Sequence, residues 1–128
     1  MNPHGIVTRP SQYSVKETID RLVIYLELHG ATVYARMNHQ SELRNVGLKI
    51  SPLEFILFGD PKTAGRVMIE NPLAALDLPL KIIAWEDNQN NVWLAYIDSE
   101  YIEKKYSLSH ALMEALDLSP LIDRALPV

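Results

Sequence analysis

The chain has 128 residues, 48% hydrophobic and 22% charged, the makeup of a single folded domain over 1–128 and not of a disordered segment. Its net charge of −4, with basic residues scattered, lacks the positive field that a nucleic-acid backbone or an anionic membrane requires. No cysteine is present, so disulfides, thiol nucleophiles and thiolate metal sites are excluded.

Gly5 to Arg9 ("GIVTR") is β-favouring and should end at Pro10. Ser14-Val15-Lys16-Glu17 has the spacing of a capping box, in which the serine hydroxyl takes an orphan amide of the first turn. Val15, Ile19, Leu22, Val23 and Leu26 then recur at helical spacing, and Gly30 suits the left-handed stop. "TVYARM" alternates as a strand with Val33, Ala35 and Met37 expected on one face. Residues 38–52 are polar, with one helical turn expected near Ser41 to Asn45.

"LEFILF" reads as an interior strand, apolar on both faces near its end. Residues 58–66 then pose a choice between a phosphate cradle and a corner. Gly59 lets the chain turn, Asp60 occupies an N-cap and Pro61 the first helical position, where its missing N–H costs nothing. A phosphate loop needs four residues between its glycines and a Gly-Lys-Ser/Thr ending, whereas Gly59 and Gly65 enclose five and Arg66 follows. The corner wins, with Lys62 and Arg66 left as a weak anion site.

A second helix should run from Pro61 to about Glu70, with a short turn in "PLAALDL". "LKIIAWE" and "VWLAYID" form a hairpin across "DNQNN". Asp98 or Ser99, then Ser109, then Ser119 followed by Pro120 should cap short helices. The order β-α-β-β-α-β-β-α-α predicts an α+β two-layer sandwich, about five antiparallel strands with helices on one face.

Several stretches together, "SVKETIDRL", "ARMNH", "FGDP", "NPLAALDLPLK" and "YIDSEY", resemble the domain of unknown function 302 family from about Val7 to Tyr106. The family more often has Asn where this chain has Asp60, and Asp where it has Asn38; either exchange keeps a capping side chain. The resemblance implies an antiparallel α+β fold, a homodimer and no agreed enzymatic activity. A minority of relatives is associated with haem, which turns attention to His39.

His39 and Glu42, three apart, would share one face of a helical turn, as a haem ligand, a metal ligand or a general base would require. One His/Glu pair does not make a metal site, and none is predicted. Trp85, Glu86, Trp93 and Tyr96 gather on the last hairpin, where Trp93 is out of phase with Leu94 and Tyr96. Both faces of that strand are therefore apolar, and the second needs a cover from the C-terminal helices, a partner subunit or a ligand.

The candidate ligand-binding residues are His39, Phe58, Gly59, Asp60, Lys62, Trp85, Glu86 and Tyr96; no catalytic residue is assigned. The expected function is a cytoplasmic, non-enzymatic homodimer that binds a small apolar or amphipathic molecule between sheet and helices. The alternative is a haem protein, metal protein or enzyme built on His39.

Overall fold

A computed structural model describes residues 4–127. Five strands, β1 (Ile6–Ser11), β2 (Thr32–Asn38), β3 (Leu53–Gly59), β4 (Leu80–Glu86) and β5 (Val92–Ile97), form one sheet in the order β1-β5-β4-β3-β2. Every neighbouring pair is antiparallel. The first two strands occupy opposite edges, so α1 (Val15–Leu28) must carry the chain across the width of the sheet.

Period-two alternation sorts the sheet into two faces. Ile56, Ile82, Ala84 and Leu94, in register across β3, β4 and β5, point to the inner face and are fully buried. From α1 the stripe Val15, Ile19, Leu22 and Leu26 meets them. Each such side chain contributes about 1.5–3 kcal/mol of burial. The Ser14 hydroxyl accepts from the Glu17 amide at 3.0 Å, and Gly30 (φ +82°) ends the helix, with the Ala31 amide reaching back to the Leu26 carbonyl at 3.0 Å.

The remaining helices are α2 (His39–Asn45), α3 (Pro61–Glu70), α4 (Ser99–Tyr106), α5 (His110–Met113) and α6 (Ser119–Ala125), with a 3₁₀ segment over Pro72–Asp77. Met113, Leu116, Leu118 and Ile122 join the same core as α1, so the C-terminal helices pack on the inner side. They do not fold across the second face.

Four local expectations are corrected. Strand β1 continues through Pro10 to Ser11, because an edge strand tolerates a missing donor. An irregularity at Tyr34 breaks the alternation of β2, so Val33 pairs with Phe58 on the inner face while Ala35 and Met37 pair with Leu57 and Phe55 on the outer. Helix α2 starts two residues earlier than expected, because the Asn38 side chain caps it by accepting from the Ser41 amide at 3.1 Å. Finally, Leu118 is the N-cap of α6; Ser119 lies inside, and its amide is taken by Asp117 Oδ1 at 3.1 Å.

Candidate functional site

The corner after Phe58 is built as a cap. Asp60 Oδ1 accepts from the Lys62 amide at 3.2 Å and Oδ2 from the Thr63 hydroxyl at 2.9 Å. The Thr63 hydroxyl, then the Lys62 amide, hold the Asp60 carboxyl below the usual carboxylate range. The first turn of α3 is thus already served by a side chain of its own.

Beside this corner lies a cavity of about 410 Å³, within the size range of small-molecule sites. Its floor is the buried side chains of Leu26, Phe58, Leu80, Leu116 and Leu118. Gly59, Ala64 and Leu121 continue the wall, and exposed residues, Tyr34, Asp60, Met68 and Asp117, reach its rim. The walls come from the end of α1, the strand end at Phe58, the start of α3 and the segment between α5 and α6. Contrary to the expectation that Gly59 lets the chain turn, the corner does not require glycine there: its φ is not positive and an added Cβ would have nothing nearer than the Tyr34 ring at 3.9 Å.

The sequence candidates do not form one site. Phe58, Gly59 and Asp60 converge on the cavity, but Lys62 is exposed on α3 and is not among the lining residues. Tyr96 is buried on the inner face, where burial pushes its phenol up and Arg9 acts against that shift. Glu86 ends β4 opposite Val92. Trp85 faces Trp93 across β4 and β5 on the outer side.

His39 opens α2, with its ring tilted against Phe55 at 5.2 Å between centroids. It is half-buried and does not line the cavity beside Phe58. A haem would need the His39 ring as an axial ligand; that ring lies against Phe55. Among the described residues, no three of His, Asp and Glu converge as a metal set.

Sequence reasoning missed most of the cavity. Leu26, Leu80, Leu116 and Leu118 read as ordinary core positions, and nothing in their local pattern sets them apart from Leu22 or Leu94. Asp117 carried no signal beyond a loop acid.

Residues 7–126 match the family described as "Domain of unknown function DUF302". The chain belongs to this family. A crystal structure of an uncharacterized conserved DUF302 protein from Bacillus stearothermophilus has the same fold, with a TM-score of 0.77 over 95% of each chain at 24% identity. Among curated proteins, the chain is 36% identical over 104 residues to the "Fluoride-specific ion channel FluC 1" of Brucella suis biovar 1, covering 81% of this chain and 41% of that protein. The "Fluoride-specific ion channel FluC 2" of Brucella melitensis biotype 1 matches equally, at 36% over 104 residues, 81% of this chain and 38% of that protein. The DUF302 chain therefore spans about two fifths of the curated relatives it matches. No helix among its described residues is long and apolar enough to cross a membrane.

Proposed function

We propose that this DUF302 domain binds a small apolar or amphipathic molecule, without transforming it, in the cavity at the Phe58–Asp60 corner. The observation that carries the reading is the cavity itself: an apolar floor of about 410 Å³ in total space, ringed by a few polar groups. Such a floor gains from covering by an apolar ligand at roughly 25 cal/mol per Å², and the rim groups fix which end stays in water. Ala64 is half-exposed on the wall, so Ala64→Phe should fill the space without touching the buried floor. Native mass spectrometry and titration with a neutral fluorescent apolar dye test this. The wild type should bind and Ala64→Phe should lose at least about tenfold in affinity with an unchanged far-UV spectrum. Equal dye binding by both proteins would reject the site.

A second copy of the chain is proposed to cover the outer sheet face. What favours it is the facing pair Trp85 and Trp93, with the Ile83–Ala95 pair beside them, on the side that α1 and the C-terminal helices leave open. Trp85→Lys should then convert a sedimenting dimer to monomer; a wild type that is monomeric at high micromolar concentration would dispose of this second reading.

A further inference from the structure

The cavity's polar groups are not evenly distributed in charge. Its two ionisable carboxylates, Asp60 and Asp117, are both exposed and therefore sit at the mouth, above a floor with no polar side chain. Among the described residues, no lysine, arginine or histidine lines the cavity. Neither carboxylate is in an ion pair with any described residue. Asp60 gives its oxygens to the Lys62 amide and the Thr63 hydroxyl, and Asp117 gives one oxygen to the Ser119 amide. Each carboxylate oxygen has two acceptor positions, so acceptor capacity remains at both residues.

The positive end of α3 would ordinarily favour an anion at this place. Here the cap offsets it, since Asp60 brings a full negative charge to the same turn and occupies its donors. The ionisable groups lining the mouth are therefore acidic, with Lys62 acting on Asp60 from outside the lining, while the interior is neutral and apolar. A fatty-acid-like carboxylate would have to place its charge between two of the same sign. A protonated amine would place its charge where two unpaired acids await it, with its apolar body on Leu26, Phe58 and Leu80.

We infer that the cavity selects small apolar amines, body inward and ammonium at the mouth between Asp60 and Asp117, and discriminates against carboxylates of the same length. This rests on the binding site proposed above.

The test uses the full chain at pH 7 and three probes with one alkyl body, octylamine, 1-octanol and octanoate, each titrated calorimetrically or by displacement of the neutral dye. Octylamine should bind about tenfold more tightly than octanoate, with octanol between them, because each exposed charge contact is worth only a few-fold. The preference should shrink as salt is raised. In Asp60→Asn/Asp117→Asn, which keeps a capping side chain at residue 60, the three affinities should come within about twofold while that for octanol stays put. Asp87→Asn, on the β4–β5 loop outside the cavity, removes the same kind of charge and should leave the preference intact. Octanoate binding as well as octylamine, or a preference that survives the double substitution, overturns the charge selection and leaves the cavity reading standing. If none of the three probes binds, and the dye does not either, the cavity reading itself falls and the selection with it.

Discussion

The ion pairs around Arg36 offer the most exacting test of this fold. Glu54 is 7% exposed on the inner face of β3, an unusual place for a carboxylate. It is tolerated because Arg36 reaches over from β2, donating from Nε to Glu54 at 3.0 Å and from a terminal nitrogen to Asp20 of α1 at 2.6 Å. One guanidinium thus ties an edge strand to its neighbour and to the covering helix. Arg36→Met keeps the aliphatic stem and removes the charge.

The Asp20 contact is partly exposed and Asp20 retains Lys16 at 2.8 Å, so its loss should cost about 0.5 kcal/mol. Glu54 is the larger item. Breaking a fully buried pair costs about 3–5 kcal/mol. Because the Arg36 side chain is 33% exposed, water will enter where it stood, and the net loss should be about 2–3 kcal/mol. For a domain of this size that is roughly a 10 °C drop in Tm.

Urea denaturation of Arg36→Met, Glu54→Gln and the pair closes a double-mutant cycle. Adding Glu54→Gln to Arg36→Met should recover at least about half the loss, since a neutral amide replaces the stranded charge. A loss under about 0.5 kcal/mol in the single variant, or no recovery in the double, would refute the assignment of Glu54 as a paired buried charge.

Two further outcomes follow from specific contacts. Gly5 is buried with φ +68°, and a Cβ there would meet the Tyr101 ring at 2.3 Å at Cγ, too near the stem to be relieved by swinging the ring tip; Gly5→Ala should cost about 2–4 kcal/mol in urea melts, and Gly5→Ala/Tyr101→Ala should cancel the steric part. The Asp87 carboxylate accepts from the Trp93 indole at 2.9 Å and from the Gln89 and Asn91 amides at 2.9 Å, and the indole, then the Asn91 amide, hold its carboxyl below the usual range. Its folded value being depressed, the stabilisation is present above the ordinary carboxylate value near pH 4 and is lost as pH falls through the lower folded value. Acid titration followed by tryptophan fluorescence should show this loss in the wild type and not in Asp87→Ala; identical acid transitions would contradict it.

Several features were legible in the chain itself because their causes are local. Ser14, Gly30, Asp60, Pro61 and Asp98 act on backbone groups within a few residues, so their roles at helix ends could be read without knowing what lies across the molecule. The same holds for β3, β4 and β5, whose apolar runs require burial wherever they end up. Together with their order, these signals determine an antiparallel α+β sandwich and a corner, not a phosphate loop, after Phe58.

What the tertiary structure decided depends on residues far apart in sequence. The slip at Tyr34 places Arg36 beside Glu54, 18 positions away, and so turns an edge-strand arginine into the partner of a buried carboxylate. The side on which the C-terminal helices settle leaves the Trp85–Trp93 face open, though their apolar stripes would have suited either side. The cavity is assembled from Leu26, Phe58, Leu80 and Leu116, four elements whose periodic signals say only that each is buried. Periodicity fixes which side of an element avoids water; whether the packed sides close completely or leave a space is set by how whole helices meet, and no short stretch of the chain contains that information.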